Sequence, residues 1–378
     1  MTRADSKYPR LPVARPSIVG NEEAYATDAI RSSWISSIGP YVDRFEREWA
    51  AVCGTRAAIS AVNGTAALHL AIEALGAGPG DEVIVPSLTY IATANAVRYA
   101  GATPVFADID PDTWCLDPSA VEAAMTPRTR GFVAVHLYGH PADMDALNEI
   151  AARHGLWVVE DAAESHGARY KGRPTGSLGS VGVFSFYGNK IITSGEGGAL
   201  TVDDPDLEAR IRLLRGQGMD PERRYWFPVI GYNYRLTNVA SAILCAQLER
   251  MDTILAARGA VFTGYRQRLA DIPGIGFQTV AAWAEAAPWL FCVTVDEAAF
   301  GQGRDALAEA LDAAGIETRP FFHPLHRLPP YEDPAGLELP VTDRVAASGL
   351  NLPTFVGMTD AELDRVADEI RRAHERVH

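Results

Sequence analysis

The chain has 378 residues, 47% of them hydrophobic and 22% charged, with a formal net charge of −14. This composition suits a large packed core and excludes a mainly disordered chain. The acidic balance argues against a general binder of nucleic acid or of anionic membranes, because both need a basic surface.

The N-terminal stretch, MTRADSKYPRLPVARP, is polar and proline-rich and has no apolar run typical of a secretory signal. Nowhere does the chain carry the roughly 18–20 successive apolar residues that span a bilayer. Cys53, Cys115, Cys245 and Cys292 are scattered among apolar residues without a CxxC pair. This pattern predicts core cysteines, no metal site and no disulfide framework, and we expect a cytoplasmic protein.

Between residues 55 and 205, short apolar runs alternate with longer helical patterns. The predicted strands are 57–62, 82–86, 103–109, 132–137, 156–162, 182–188 and 197–204. The predicted helices between the first five of these strands are 65–76, 91–101, 117–125 and 143–155. Short strands buried on both faces and alternating with helices predict an α/β fold with a mostly parallel central sheet.

After these strands, the sequence predicts a helix at 204–218 and one long helical stretch at 237–272. The elements beyond this stretch predict a smaller C-terminal α+β domain, with a strand at 291–295, a helix at 303–315 and a terminal helix from Asp360. The long stretch is predicted to link the domains. We expect an N-terminal arm at 1–15, a large domain at 16–255 and a small domain at 256–378.

Asn63, Gly64 and Thr65 lie between a predicted strand and a predicted helix. Free backbone amides and the helix dipole favour an anion at such a helix start. Gly64 lets the backbone approach a ligand closely, and Thr65 can serve as helix cap and hydroxyl donor. Taken alone, however, an ordinary capped helix is the commoner explanation of such a short motif.

Glu160 and Asp161 end a predicted strand whose preceding residues are apolar. In open α/β sheets, ligands bind at the carboxyl ends of the strands. A carboxylate in that place could hold a cationic ring nitrogen, bind a metal or cap the following turn. Of these uses, capping is the commonest for a single residue considered alone.

Lysine occurs only as Lys7, Lys171 and Lys190, whereas arginine supplies every other long basic side chain. Arginine cannot lose its proton and act as an amine nucleophile, so each lysine is worth examining. Lys190 follows a predicted strand that contains Ser185, and it lies in a glycine-rich loop. Desolvation there would lower the pKa of the amine and free it for carbonyl chemistry, but an exposed loop lysine is the alternative.

Together these features supply what pyridoxal 5′-phosphate requires: amides for its phosphate, an acidic partner for its ring nitrogen and an amine for its aldehyde. The sequence here resembles the DegT/DnrJ/EryC1/StrS sugar aminotransferase family, of the fold-type I, aspartate aminotransferase-like class. The resemblance runs from about residue 11 to 375. It rests on the ordered motifs NGTAALHLA, GDEVIVPSLTYIATANAV, VHLYGHPADMD, EDAAESHGA, GSLGSVGVFSFYGNKIITSGEGG, GYNYRLTN and RPFFHPLH.

The resemblance implies a role for each matching residue. Lys190 would form the covalent imine with the cofactor and act as the base, while Asp161 would pair with the ring nitrogen. Glu164 would lie near the cofactor's 3-hydroxyl, where many family members carry glutamine. The other implied cofactor contacts are Gly64, Thr65 and Ser185 to the phosphate, Tyr90 stacked on the ring, and Asn233 reaching the phosphate of a neighbouring subunit in a homodimer. For Tyr90, a core aromatic after a strand is the alternative.

The stretches RSSWISSIGPYVDRFE and RGQGMDPERRYWFP resemble the perosamine-forming subgroup of the family. That likeness implies L-glutamate as amino donor and GDP-4-keto-6-deoxy-D-mannose as acceptor, giving GDP-perosamine, with pyridoxamine 5′-phosphate as intermediate. Arginines and aromatics in the second stretch suit a diphosphate and a sugar or base, although an ordinary exposed loop is the alternative. The candidate substrate residues are Arg223, Arg224, Tyr225, Trp226, His323 and His326.

Two alternatives remain open from the sequence. The same chemistry would suit another keto sugar, such as a 3-keto isomer, a dTDP- or UDP-linked sugar or a cyclitol ketone. A cofactor-binding sensor without turnover is the other alternative. A sister group of sugar 3-dehydratases carries histidine in place of the lysine, so the retention of Lys190 favours transamination over dehydration.

Overall fold

A computed structural model of the chain describes residues 10–332 and 336–377. The helices are α1 Glu22–Arg31, α2 Pro40–Cys53, α3 Gly64–Ala74, α4 Ala92–Tyr99, α5 Pro118–Ala124, α6 Met144–His154, α7 Pro205–Arg215, α8 Asn238–Leu248, α9 Met251–Leu269, α10 Glu297–Phe300, α11 Arg304–Ala313, α12 Pro340–Ser348 and α13 Asp360–Glu375. The strands are β1 Ala57–Ala61, β2 Glu82–Pro86, β3 Thr103–Ala107, β4 Thr129–Val135, β5 Trp157–Asp161, β6 Arg169–Tyr170, β7 Arg173–Pro174, β8 Val181–Ser185, β9 Gly198–Val202, β10 Ile275–Phe277, β11 Ala284–Glu285, β12 Phe291–Val295, β13 Arg319–Pro320 and β14 Gly349–Leu352.

The central sheet has seven strands in the order β1-β9-β8-β5-β4-β2-β3. Four neighbouring pairs, β2–β3, β2–β4, β4–β5 and β5–β8, are parallel, whereas β9 runs antiparallel to both of its neighbours. Every residue of β1, β2 and β9 is buried, as expected for strands covered by helices on both faces. The predicted α/β fold with a mostly parallel sheet is therefore confirmed.

The predicted helical stretch 237–272 is in fact two helices, α8 and α9, separated at Glu249 and Arg250. No proline or glycine marks the break. Instead, the Glu249 carboxylate accepts hydrogen bonds from Asn21 and Tyr25, and Arg250 extends toward Ser17. Contacts with the N-terminal segment therefore hold the interruption, and a local helical pattern does not reveal such contacts.

A second sheet has the order β10-β12-β14-β13 and is antiparallel at each pairing. Its apolar face packs with α9, α11 and α13 in a hydrophobic cluster separate from that of the central sheet. Leu11 joins this cluster through backbone hydrogen bonds with Gly315 and Glu317. Residues 1–9 of the predicted N-terminal arm lie outside the described residues.

The four cysteines are buried and unbridged, as the sequence predicts. Among the described residues, no helix combines the length and the apolar character that crossing a bilayer requires.

Candidate active site

The carboxyl ends of the parallel strands β2, β5 and β8 meet at one edge of the central sheet. This edge carries Tyr90 in the loop after β2, Asp161 at the end of β5 and Ser185 at the end of β8. Lys190 lies in the turn that follows β8, where its amide donates to the carbonyl of Tyr187 at 2.9 Å. The fold thus gathers residues that are far apart in the sequence at the edge where α/β sheets bind ligands.

Lys190 is enclosed by protein, because only 11% of its side chain is exposed. Its Nζ lies 3.8 Å from Oε1 of Glu164 and 3.9 Å from the centre of the Trp289 ring. Burial lowers the pKa of the amine, while Glu164 and Asp161 oppose that shift. Lys171, by contrast, is exposed and paired with Asp145 at 2.5 Å. The alternative of an exposed loop lysine is therefore wrong for Lys190.

Asp161 is a buried carboxylate whose position is fixed on both oxygens. Its Oδ2 accepts a hydrogen bond from the Thr93 hydroxyl at 2.8 Å, and its Oδ1 accepts one from the Ala163 amide at 3.3 Å. Burial raises the pKa of Asp161, and these hydrogen bonds and the nearby Lys190 only partly offset the rise. A carboxylate in this situation gains from a cationic group placed beside it.

Glu164 lies between Lys190 and the turn that follows β4. Its Oε2 accepts a hydrogen bond from the Tyr138 amide at 2.8 Å. Burial raises the pKa of Glu164 to about 7, against the opposing effect of Lys190. Tyr138 has a positive φ of 53°, so the backbone is held in the left-handed region where its amide reaches the carboxylate.

The start of α3 lies against the end of β8. A methyl group added at Gly64 would come within 2.8 Å of the Cβ of Ser185, so only glycine allows this approach. The helix cap is Asn63, whose side chain accepts from the Ala66 amide at 2.8 Å, and the suggestion that Thr65 serves as cap is wrong. Because the first amides of a helix have no intrahelical acceptor, those of Gly64 and Thr65 suit an anion.

These residues fit pyridoxal phosphate by the chemistry of their donors and acceptors. One edge of the sheet carries three matching features. They are a buried amine, a buried carboxylate that favours a nearby cation, and a helix start where a glycine packs closely against a serine. The cofactor presents the matching set of an aldehyde, a protonatable ring nitrogen and a phosphate.

Tyr90 is 59% exposed, so the alternative of a core aromatic is wrong. Its ring centre lies 5.8 Å from that of Phe322, which in turn stacks on Tyr138 at 5.7 Å. The three rings form a row from the surface to the buried turn beside Glu164. The exposed ring of Tyr90 is free to contact a ligand.

Glu160 has a different role from its neighbour Asp161. It is completely buried, and its two oxygens accept hydrogen bonds from the amides of Gly176, Leu178 and Gly179. The Nδ1 of His136 accepts a hydrogen bond from the Ala142 amide. The proton of the neutral ring is therefore on Nε2, which donates to Glu160 at 3.0 Å. Glu160 therefore organises the loops around the site rather than facing a ligand.

The predicted substrate residues of the loop 217–231 are exposed. Arg223 lies 4.0 Å from the Trp226 ring centre, and Arg224 lies 4.9 Å from that of Tyr225. Each guanidinium is thus held by an aromatic ring of the same loop. Directly after this loop, Asn233 is exposed between two half-buried tyrosines.

The two histidines of the RPFFHPLH motif lie in different surroundings. His323 is exposed beside Phe322. His326 is 2% exposed; its Nδ1 lies 2.7 Å from the Ser87 hydroxyl, and its Nε2 lies 3.4 Å from Asp343. These contacts favour a structural role for His326, which fastens this segment to the loop after β2.

Sequence reasoning missed Thr93, the Tyr138 amide and Trp289, which contact Asp161, Glu164 and Lys190 in turn. Thr93 follows the PSLTY motif by one helical turn, and that spacing is the only local signal for it. Nothing in the sequence around Trp289 points to Lys190, because the two residues are far apart in the chain and meet only when it is folded.

The sequence profile of the DegT/DnrJ/EryC1/StrS aminotransferase family matches residues 16–371. A GDP-perosamine synthase of Caulobacter vibrioides is 52% identical over 362 residues, 96% of this chain and 97% of that protein. A dTDP-3-amino-3,4,6-trideoxy-alpha-D-glucose transaminase of Streptomyces venezuelae is 42% identical over 380 residues, 98% of each chain.

The crystal structure of DesI in the presence of its TDP-sugar product superimposes with a TM-score of 0.93 at 40% identity, covering 98% of this chain and 94% of that one. The profile and the relatives each span nearly the whole chain at identities well above those that show only a common fold. The chain therefore belongs to the DegT/DnrJ/EryC1/StrS aminotransferase family, whose members depend on pyridoxal phosphate.

Proposed function

We propose that this protein transfers the amino group of L-glutamate to the C4 keto group of GDP-4-keto-6-deoxy-D-mannose, giving GDP-perosamine. The observation that carries the reaction type is the buried Lys190 amine beside the Asp161 and Glu164 carboxylates. The 52% identity to a GDP-perosamine synthase supports the choice of sugar. The exchange balances, since one C=O becomes CH–NH2 while the CH–NH2 of glutamate becomes C=O.

The residues that would hold pyridoxal phosphate are those gathered at the sheet edge. The amides of Gly64 and Thr65, with the hydroxyl of Ser185, would bind the phosphate. Asp161 would orient the ring through its nitrogen, and Tyr90 would cover one ring face. When bound, the cofactor supplies a carbonyl that takes up the amino group and a ring that accepts electrons.

Lys190 has the properties of the group that binds the cofactor and moves the proton. Burial lowers the pKa of its amine, which favours the neutral Nζ that a nucleophile or a base requires. Glu164, 3.8 Å away, stabilises the Nζ while it carries a proton. Asp161 is fixed by Thr93 and Ala163, so its oxygens stay aimed at one place during the reaction.

The exposed loop 217–231 would bind the nucleotide sugar. Arg223 and Arg224 offer planar guanidinium groups that match a diphosphate through paired hydrogen bonds. Trp226 and Tyr225 offer ring faces for a sugar or a base. His323, which follows Phe322 in the RPFFHPLH motif, would also contact the sugar.

A homodimer with shared sites is part of the proposal. Exposed apolar side chains occur near the end of α1 and in the loop before Asn233, and a single chain leaves them uncovered; they include Ile30, Trp34, Ile35, Ile38, Phe227 and Ile230. Asn233, exposed beside this surface, would reach the phosphate bound by the second subunit.

Mixing Lys190→Ala and Asn233→Ala proteins tests this arrangement. Mixed dimers should recover up to about one quarter of the parent activity, since one site in each then has both residues. No recovery would contradict a shared site.

The substrate is tested with a panel of keto sugars and L-glutamate as amino donor. Mass spectrometry should detect the amino sugar from the GDP-linked 4-keto substrate, together with 2-oxoglutarate. Turnover of every other keto sugar but not of this one would refute the choice of substrate. Absence of 2-oxoglutarate with all acceptors would refute aminotransfer itself.

The relative from Streptomyces venezuelae supports a second candidate substrate beside the one proposed above. A dTDP-3-amino sugar transaminase is 42% identical, whereas the GDP-perosamine synthase of Escherichia coli O157:H7 is 39% identical. At that distance, identity does not separate the two sugars. A dTDP-linked 3-keto sugar is therefore the first competitor in the panel.

A further inference from the structure

Trp289 lies directly against the amine of Lys190. It comes from the segment between β11 and β12 and is 3% exposed. The Lys190 Nζ lies 3.9 Å from the centre of its ring. An ammonium group over an indole face is attracted by the negative charge of that face, most strongly where water is excluded.

The same side chain also holds the backbone that carries Lys190. The Trp289 Nε1–H donates to the carbonyl of Asn189 at 2.9 Å. Since Asn189 immediately precedes Lys190, this hydrogen bond fixes the peptide from which the amine extends. Trp289 thus contacts both the peptide that precedes Lys190 and the amine at the end of its side chain.

Trp289 is itself held from two directions. Arg258 of α9 donates to the carbonyl oxygens of Pro288 and Trp289, and its guanidinium is buried. The ring of Tyr138 stacks at 6.0 Å from that of Trp289. Tyr138 also donates its amide to Glu164, so the groups on both sides of the Lys190 amine are connected.

We propose that Trp289 is the positioning residue of Lys190: its ring face receives the protonated amine, and its Nε1–H fixes the peptide before the lysine. The need for such a residue rests on the proposed function, in which Lys190 holds a proton in transit. A protonated amine is costly in a buried pocket. The indole face stabilises that cation without adding a further carboxylate beside Asp161 and Glu164.

The contact can be measured directly, because the chain has only three lysines. Full-length, cofactor-free protein with ¹³C-labelled lysine gives three sets of Cε signals, assigned by replacing Lys7 and Lys171 with arginine. The ring current of Trp289 should shift the Lys190 Hε protons upfield. We expect Trp289→Leu to abolish this shift and Trp289→Phe to retain most of it.

A second experiment, which measures kcat of the Trp289 variants, distinguishes a positioning role of Trp289 from a purely structural one. Trp289→Leu should lower kcat for aminotransfer by about 30-fold, which corresponds to about 2 kcal/mol, with the KM for glutamate nearly unchanged. Trp289→Phe should restore most of kcat, because the ring face returns. Trp283→Leu is the matched control: Trp283 packs on Tyr170 and His140, and its loss should change neither the Lys190 signal nor kcat.

The proposal is overturned if the Lys190 signal is the same in Trp289→Leu as in the parent, or if leucine and phenylalanine lower kcat equally. If the leucine protein does not fold, Trp289→Phe remains decisive: the upfield shift must persist, and the amide of Lys190 must exchange faster. Failure of the proposed function would instead remove aminotransfer from the parent protein and leave the Lys190 shift in place.

Discussion

The pocket around Lys190 and the loop 217–231 differ in how their side chains are held. In the pocket, Lys190 and Asp161 are enclosed, and residues from several elements fix their positions. In the loop, exposed arginines rest on exposed aromatic rings of the same segment. One chain alone therefore gathers the groups proposed for the reaction in an enclosed pocket, whereas the groups proposed to bind the sugar lie on an exposed loop.

The largest effect should follow from Lys190→Ala. Under the proposed function, this change removes the amine that attaches the cofactor and moves the proton, so kcat for aminotransfer should fall by at least about 10³-fold. The production of 2-oxoglutarate from glutamate measures it. Lys171→Ala removes an exposed, paired lysine and should leave the rate unchanged. Equal rates for Lys190→Ala and the parent protein would contradict the role proposed for the pocket around Lys190.

Asp161→Asn keeps the shape of the side chain and removes its charge. We expect a loss of about 10²- to 10³-fold in kcat, as for other preorganised groups that stabilise developing charge. Thr93→Val grades the effect, because it removes one hydrogen bond to Asp161 and should cost roughly tenfold or somewhat more. If the valine variant were slower than the asparagine variant, Thr93 would have a role of its own.

Glu164→Gln should alter how stability depends on pH. Because the pKa of Glu164 is raised to about 7 in the folded protein from an ordinary 4.5, the folded state binds its proton more tightly. The extra stability that this proton gives the folded protein is complete below pH 4.5 and is lost as the pH rises through 7. Relative to the glutamine variant, the free energy of unfolding of the parent should therefore fall by on the order of 2 kcal/mol across this window.

Urea titrations of the cofactor-free proteins at pH 5 and pH 8 measure this difference. Glutamine still accepts the hydrogen bond from the Tyr138 amide, so the variant changes the charge with little change in shape. Parallel pH profiles for the two proteins would show that Glu164 titrates as in water.

The smallest effects should come from the exposed loop. Arg223→Ala and Trp226→Ala should each raise the KM for the nucleotide sugar by about 3- to 10-fold, the worth of about one hydrogen bond, with kcat little changed. The free energy of unfolding should change by no more than about 0.5 kcal/mol, since both residues are exposed. Arg153→Ala removes a similarly exposed arginine, paired with Glu122, and serves as control. A fall in kcat as large as that for Asp161→Asn would erase the distinction between pocket and loop.

Sequence reasoning recovered the groups that depend on local pattern. Asp161 and Ser185 end strands, and Gly64 begins a helix, so the parallel sheet brings them to one edge once the strands are recognised. The break between α8 and α9 and the contact between Trp289 and Lys190 were missed. Both depend on residues distant in sequence that meet only when the chain is packed, and neither leaves a periodic or compositional signal.

The cap of α3 shows a finer limit. Asn63 and Thr65 are both good capping residues, and the sequence allows either to begin the helix. The backbone places Asn63 outside the helix with an extended conformation, so its side chain reaches the Ala66 amide. Because the cap lies two residues before Thr65, the Thr65 side chain is not needed for capping and can contact a ligand.

The most direct test is to reduce the cofactor-loaded protein with borohydride and map its peptides by mass spectrometry. The three lysines, Lys7, Lys171 and Lys190, lie in separate tryptic peptides, so the site of attachment is unambiguous. We predict a phosphopyridoxyl group on the peptide that contains Lys190 and on no other. Modification of a different lysine, or of none, would contradict the assignment of this pocket as the active site.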